Sequence, residues 1–139
     1  MTDMSCLPRL PCLPPWRLVR KAMLGTDIGF LIYWTVVIAG IIPPSLAYQD
    51  YLNPILTDWN KSFLLLDVLA SLTGLIGVRT RRRVLVVVSL VLTSTAGLQA
   101  VSFWLLRGDF TLMWWLPNLW LLLFPLPAIV VAARHPSLR

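Results

Sequence analysis

Residues 84–106, VLVVVSLVLTSTAGLQAVSFWLL, form a long stretch without a charged side chain. At about 1.5 Å per residue, a helix of this length crosses the roughly 30 Å hydrocarbon core of a lipid bilayer. Arginines lie on both sides of the stretch, within residues 79–83 and at Arg107. The segment therefore predicts a transmembrane helix whose two ends lie at the membrane surfaces.

Three other apolar stretches have a similar length. They lie at about 22–42, 61–78 and 112–133, so residues 84–106 form the third of four predicted spans. The chain of 139 residues is 58% hydrophobic, with a mean hydropathy of +0.76, which is too apolar for a soluble domain of this size. Because lipid cannot hydrogen-bond an irregular backbone, the predicted fold class is an all-α membrane protein, a four-helix transmembrane bundle.

Positive charges fall mainly on one side of the predicted bundle. Of the twelve Lys and Arg residues, only Lys61 and Arg107 lie outside the N-terminal tail, the loop after the second span and the C-terminus. An even number of spans brings those three segments to one side, and the excess of positive charge predicts that this side is the cytoplasm. The predicted organisation is a cytoplasmic tail at 1–21, a transmembrane domain at 22–133 and a cytoplasmic tail at 134–139.

Composition also argues against several kinds of function. The net charge of +6 comes from residues between the apolar runs, so it indicates membrane topology rather than nucleic-acid binding. The sequence has no Gly-rich phosphate loop and no Ser/His/Asp set, and its one histidine is His135. Cys6 and Cys12 have no metal-binding spacing and are interpreted as free thiols. Any catalysis is therefore expected to be proton transfer by carboxyl and amide groups, without a metal or cofactor.

Asp67 is the most informative polar residue within the predicted spans. It lies about two turns into the second span, in the sequence FLLLDVLA at 63–70, and helical spacing places Phe63 and Ser71 on its face. A carboxyl among leucines and small residues favours its neutral form, which could donate a proton. A structural carboxyl that is hydrogen-bonded between helices is an equally good interpretation at this point.

Each of the other spans also contains a polar side chain. Asp27 lies near one end of the first span and could line a site, cap the helix or pair with an arginine. It is expected to lie near the opposite end of the bundle from Asp67. Gln99 in the third span and Asn118 in the fourth could hydrogen-bond between helices, or all four polar groups could line one cavity.

Tryptophan is unusually frequent, with seven residues in the chain. Most of them fall near predicted membrane interfaces, where a belt of aromatic side chains is the usual explanation. Trp34 and Trp120 lie deeper. Aromatic rings around a buried acid would suit a cationic intermediate, because ring faces attract positive charge.

Two segments resemble the EXPERA group of four-helix membrane proteins, which contains the emopamil-binding sterol isomerases and the sigma-2-receptor-like proteins. The first is Asn53-Pro54-Ile55-Leu56 with Trp59-Asn60-Lys61-Ser62-Phe63 and Asp67, and the second is Pro117-Asn118-Leu119-Trp120-Leu121 with Pro125. The resemblance implies that Asp67 takes the place of a catalytic acid and Asn118 that of a cavity amide. Trp34 or Trp115 would then supply the aromatic wall.

The chain also resembles small bacterial four-helix proteins of the YvaD-like type. The likeness includes Thr26-Asp27-Ile28-Gly29-Phe30, Asn53-Pro54 and Trp114-Trp115-Leu116-Pro117-Asn118. It implies a multi-pass protein of a bacterial cell membrane and carries no information about chemistry.

These observations predict a cofactor-free enzyme that protonates an isoprenoid-type lipid, namely a terpene cyclase or isomerase acting through a carbocation. The expected partners are membrane lipid and a hydrophobic isoprenoid-like ligand, without nucleic acid, and homo-oligomerisation is left open. The alternative is a non-enzymatic lipid- or amine-binding membrane protein or an accessory subunit of a membrane complex. The predicted catalytic residues are Asp67 and Asn118, and the predicted substrate-binding residues are Trp34, Phe63, Gln99, Trp115 and Asp27.

Overall fold

Four long helical segments make up the computed structural model, which describes residues 13–138. All four are long and apolar enough to cross a membrane, which agrees with the prediction. Cys6 and Cys12 lie outside the described residues. The helices are α1 (Trp16–Ile38), α2 (Pro44–Ala47), α3 (Pro54–Thr80), α4 (Arg83–Arg107), α5 (Leu112–Leu123) and α6 (Pro125–Arg134), followed by a 3-10 turn at Pro136–Leu138.

The start of α3 differs from the prediction, because the helix begins at Pro54 rather than near Lys61. The Asn53 side chain caps it by accepting hydrogen bonds from the backbone amides of Ile55 and Leu56, at 3.1 and 3.5 Å. Proline is also favoured at a first helical position, where its missing N–H leaves no hydrogen bond unmade. Thr57, Asp58 and Asn60 interrupt the apolar residues of this first part, so a search for a continuous apolar stretch misses it.

The bounds of α1 are shifted towards the N-terminus by a similar distance. The helix starts at Trp16, where the carbonyl oxygen of the extended Pro15 accepts the first backbone hydrogen bonds. It ends at Ile38, four residues before the predicted end, because Gly40 follows with a φ of +66°. That left-handed conformation stops a helix and is accessible to glycine at little cost.

Close contacts between helices occur at glycines. α3 packs against α1 and α4, and α4 packs against α5 and α6. A Cβ atom built on Gly77 of α3 would lie 2.8 Å from the backbone nitrogen of Val86, and one on Gly97 of α4 would lie 2.4 Å from that of Leu122. Small residues therefore allow the backbones to approach, as is common between helices in membranes.

The fourth predicted span is divided at a proline. α5 ends at Leu123 and α6 begins at Pro125, which has no N–H to continue the hydrogen-bond ladder. Beyond α6 the chain turns back onto the bundle, and Leu138 is buried in a cluster that also contains Val19 and Val86. The segment predicted as a C-terminal tail thus contributes to the core.

Successive long helices run in opposite directions, so the basic residues near the start of α1, the α3–α4 turn and the end of α6 all lie at one end of the bundle. The end formed by the start of α1, the α3–α4 turn and the end of α6 is called the basic end, and the other the loop end. The described basic residues at the basic end are Arg17, Arg20, Lys21, Arg79, Arg81, Arg82, Arg83 and Arg134.

Candidate functional site

A cavity of about 640 Å³ lies between α1, α3, α4 and α5. This volume is within the range of roughly 300–1,000 Å³ that is typical of small-molecule sites. Most of the lining is apolar or aromatic, with a few polar groups. Its walls include Lys21, Gly25, Thr26, Gly29, Tyr33 and Trp34 of α1, Leu46 of α2, Trp59, Asn60, Phe63 and Asp67 of α3, Ala96, Ala100 and Trp104 of α4, and Met113, Trp114, Pro117, Asn118, Trp120 and Leu121 of α5.

Asp67 lines this cavity and is only 6% exposed. Its Oδ2 atom accepts a hydrogen bond from the indole nitrogen of Trp34 at 2.8 Å. Its Oδ1 atom is buried and has no hydrogen-bond partner among the described residues. The Ser71 hydroxyl lies one turn away but donates to the backbone carbonyl of Asp67, at 2.8 Å, and not to its carboxyl group. One carboxyl oxygen is therefore held in place and the other is unsatisfied, which is uncommon for a buried polar atom.

Aromatic rings form much of the wall around Asp67. Trp34 and Phe63 line the cavity, as expected from the sequence. Trp59, one turn before Phe63 on the same face of α3, also lines it and contacts the Phe63 ring edge-on at a centroid distance of 4.9 Å. Trp104 of α4 completes this cluster at 5.7 Å from Trp59. Aromatic rings of this kind pack against apolar groups, and their faces also attract cations.

Asn118 of α5 also lies on the cavity wall. Its amide nitrogen donates to the backbone carbonyl of Trp114, one turn earlier in α5, at 2.6 Å. The predicted cavity amide is therefore present, but its N–H group is partly used within its own helix. Its carbonyl oxygen and its second N–H are left for a ligand.

Gln99 and Trp115 do not line the cavity. Gln99 is exposed on α4, although its neighbours Ala96 and Ala100 both face the cavity. Trp115 is likewise one residue away from Trp114, which does line it. A step of one residue rotates a side chain by about 100° around a helix, so a small error in assigning a face moves a residue out of the site.

Trp115 instead fixes the turn between α4 and α5. Its indole nitrogen donates to the Asp109 carbonyl at 2.6 Å, and its ring stacks on Phe110 at a centroid distance of 5.3 Å. The Thr111 hydroxyl and backbone amide donate to the Asp109 carboxylate, and these hydrogen bonds lower the pKa of Asp109. Asp109 thus remains ionised at the loop end, where it holds this turn together.

The connection between α1 and α3 covers the cavity at the loop end. The Tyr33 hydroxyl donates to the Ala47 carbonyl at 2.5 Å, which ties α2 to the cavity wall. The amide of Asn60 donates to the Gln49 carbonyl at 3.3 Å, and the Gln49 side chain donates to the Asp109 carboxylate at 2.6 Å. Three elements are therefore joined over the end of the cavity nearer to Asp67.

Asp27 is buried at 1% exposure but lies outside the cavity lining. It packs against Gly74 and Ser89, and its Oδ2 atom has no hydrogen-bond partner among residues 13–138. α1 and α3 are antiparallel, so Asp27 is level with Gly74 just as Trp34 is level with Asp67. The seven residues between Gly74 and Asp67 correspond to about 10 Å. The expectation that the two aspartates lie near opposite ends of the bundle is therefore wrong, although they remain too far apart to share a proton.

The Gly74 position gives a direct test of this packing. A methyl group at Gly74 would lie 2.1 Å from Asp27 Oδ2 and 2.6 Å from Ser89 Oγ. We expect Gly74→Ala to destabilise the protein by about 1–3 kcal/mol, measured by thermal unfolding in detergent. Asp27→Ala in the same chain should remove the part of that penalty caused by the carboxyl group and leave the part caused by Ser89. The matched control is Gly25→Ala, which meets open space. An unchanged penalty in the double variant would show that the carboxyl group is not the obstacle.

Comparison with known proteins assigns the chain to a family. Residues 19–135 match a family of unknown function, DUF5360. Over 116 residues, the chain is 42% identical to the uncharacterized protein YvaD of Bacillus subtilis (strain 168). The aligned region covers 79% of this chain and 87% of that relative. No solved structure matches the chain significantly. The family match includes every helix that lines the cavity, and the chain belongs to the DUF5360 family.

Proposed function

We propose that this is a multi-pass protein of a bacterial cell membrane with both termini in the cytoplasm. Four helices of sufficient length and hydropathy, and a relative from Bacillus subtilis, support the membrane location. The orientation rests on the positive charge of the basic end. The loop end has Lys61 and Arg107 together with Asp50, Asp58 and Asp109.

Labelling of introduced cysteines tests this orientation. In a chain with Cys6 and Cys12 replaced by serine, Leu52→Cys at the loop end should react with a membrane-impermeant maleimide added to intact cells. Leu52 is 80% exposed, so access does not limit the reaction. Arg82→Cys in the α3–α4 turn should react only after the cells are broken. The reverse pattern of labelling would contradict the proposed orientation.

We infer that the cavity is the active site of a cofactor-free enzyme that protonates an isoprenoid-type lipid, a terpene cyclase or isomerase. One observation carries this proposal. Asp67, buried in an aromatic cavity, has one carboxyl oxygen held by Trp34 and the other without a partner. An ionisable group within a membrane is expensive and is a functional candidate by default.

The proposed reaction is a proton transfer in two steps. Neutral Asp67 gives its proton to an alkene carbon of the bound lipid, so that an O–H bond breaks, a C–H bond forms and a carbocation results. The Trp34 N–H group stabilises the carboxylate that remains, and the surrounding ring faces stabilise the cation. Loss of a proton from a neighbouring carbon to the Asp67 carboxylate then gives an isomerised or cyclised alkene and restores the acid.

The resemblance to the EXPERA group supports the same roles. It implies an acid at Asp67 and a cavity amide at Asn118, and both side chains lie on the wall of one cavity. The Asn118 amide would orient the substrate through its carbonyl oxygen or its second N–H, since the other N–H is engaged with Trp114.

Incubation in heavy water tests the proposed activity. Membranes that contain the protein are mixed with linear prenyl alcohols and prenyl phosphates in D₂O, and the lipids are analysed by mass spectrometry. The expected product is an isomer of the substrate that contains one deuterium, because the acid exchanges its proton with solvent before each turnover. Recovery of unchanged substrates, as in membranes that lack the protein, would contradict the proposal.

A second candidate function is binding of an apolar amine without turnover. The unpartnered Oδ1 atom of Asp67 would accept a hydrogen bond from a protonated amine, and the aromatic wall would contact its positive charge. This function predicts that Asp67→Asn weakens binding of a hydrophobic tertiary amine at least about tenfold, because the ion pair is lost in a low-dielectric site. It also predicts that no prenyl lipid is converted.

A further inference from the structure

We propose that the cavity takes a single-chain prenyl lipid with an anionic headgroup, which enters sideways between α1 and α5 and places its headgroup at Lys21. The proposal rests on the function proposed for Asp67, because it assigns the class of lipid that reaches this acid. Three features carry it: two glycines that leave a groove open, a weak contact between α1 and α5, and a cation at one end of the cavity.

Gly25 and Gly29 keep one face of α1 open. Both line the cavity, and a Cβ atom at either position would have nothing within 4 Å. No close approach of another helix within residues 13–138 therefore requires a glycine at these positions. Each glycine destabilises a helix by roughly 1 kcal/mol relative to alanine, so the open space itself is the feature that they provide. An extended hydrocarbon chain fits such a groove.

The side of the cavity between α1 and α5 is weakly closed. Among the described residues, α1 and α5 are joined there by an exposed hydrogen bond of 3.1 Å from the indole nitrogen of Trp120 to the Thr26 hydroxyl. α5 is held instead by α4, and it is separated from α6 by the break at Pro125. A lipid in the membrane can reach the cavity through this side without crossing the loop end.

The two ends of the groove differ in chemistry. Lys21 lines the cavity near the start of α1, and Trp34, whose indole holds Asp67, lies thirteen residues further on. The distance along the helix is about 20 Å. An ammonium group at the membrane surface attracts a phosphate as a point charge, and Arg17 lies one turn before Lys21. The headgroup is therefore assigned to the basic end and the reacting part of the chain to Asp67.

Spacing of two glycines by four residues also occurs where membrane helices pack against each other. The occupant assigned to this groove is a lipid because the same cavity contains an acid that is 94% buried and has an unpartnered oxygen, together with a cation. A second helix would satisfy neither group through its apolar surface. The experiment must therefore distinguish binding of a lipid in this groove from packing of a second helix against it.

Binding of matched lipids to the purified protein in nanodiscs tests the proposal. The probes are geranylgeranyl phosphate and geranylgeraniol, and the readout is quenching of tryptophan fluorescence. We expect the phosphate to bind about tenfold more tightly than the alcohol, because only the phosphate pairs with Lys21. Lys21→Gln should reduce this difference to about twofold or less. Arg20→Gln, a neighbouring exposed position outside the cavity lining, should keep it.

Gly29 provides the test of the groove. Gly29→Leu should weaken binding of both probes at least about tenfold by filling the space, and Gly29→Ala, which fills less of it, should weaken binding by a smaller factor. A Cβ atom at position 29 meets open space, so Gly29→Ala should fold, and thermal unfolding in detergent checks the larger leucine. Equal affinities for phosphate and alcohol in the wild type would overturn the proposal. So would a Gly29→Leu variant that binds normally but loses a dimeric state.

These readouts separate this inference from the function on which it rests. If lipid binding depends on Lys21 and Gly29 but no product forms, the enzymatic function is contradicted. The proposed lipid site is then still supported. Product formation together with equal affinities for the phosphate and the alcohol would contradict the assigned lipid class. The role of Asp67 as the acid would not be affected.

Discussion

Replacing Asp67 with asparagine is expected to reduce deuterated product in the heavy-water assay by at least about 100-fold, the lower range of general acid catalysis. The amide has nearly the size of the carboxyl group, and its oxygen can still accept the hydrogen bond from Trp34. It has no proton that it can transfer to an alkene, so the first step of the proposed reaction is lost. Because a neutral amide is no costlier to bury than the acid, the thermal unfolding temperature should stay close to that of the wild type.

Two further variants separate loss of the acid from loss of its position. Trp34→Phe keeps an aromatic ring but removes the N–H group that holds Asp67 Oδ2 at 2.8 Å. We expect an intermediate loss, about tenfold, because one hydrogen bond to a charged group is removed. Asp58→Asn, on an exposed position of the same helix, should be fully active. Undiminished product from the Asp67→Asn variant would rule out Asp67 as the proton donor.

Hydropathy alone was sufficient to predict the four long helices, because each stretch must be apolar over its whole length. It was not sufficient for the first helical turns of α3, where polar residues interrupt the apolar ones and the cap at Asn53 fixes the start of the helix. The site was predicted in part. Asp67, Phe63, Trp34 and Asn118 share one cavity, and each could be identified as a polar or aromatic residue on a helix face.

The missed parts of the site depend on contacts between helices. Trp59 could have been found, since it precedes Phe63 by one turn and Phe63 precedes Asp67 by one turn. The choice of Trp114 over Trp115 could not, because the rotation of α5 is set by its packing against α4. The level of Asp27 relative to Asp67 also depends on how two antiparallel helices are aligned. Sequence spacing within one helix has no information about that alignment.

The α4–α5 contact leads to the largest expected effect on stability. Gly97→Ala would place a methyl carbon 2.4 Å from the backbone nitrogen of Leu122 and 2.7 Å from the carbonyl oxygen of Asn118. Backbone atoms cannot move aside as a flexible side chain does, so the two helices must separate. We expect a loss of about 3 kcal/mol or more, at the upper end of the penalty for overpacking, measured by thermal unfolding in detergent.

The same substitution tests whether the cavity depends on this contact. Asn118 and Leu121 lie on the wall of the cavity, and both are among the residues that a methyl group at Gly97 would displace. The hydrogen bond from Ser94 to the Leu122 carbonyl, 3.0 Å long, would be strained by the same movement. We therefore expect Gly97→Ala to weaken binding of geranylgeranyl phosphate even at temperatures where the protein is folded. Gln99→Ala is the control, since it changes an exposed residue of the same helix that does not line the cavity. If Gly97→Ala and its control have the same unfolding temperature and the same affinity for geranylgeranyl phosphate, the position of α5 does not determine the shape of the site.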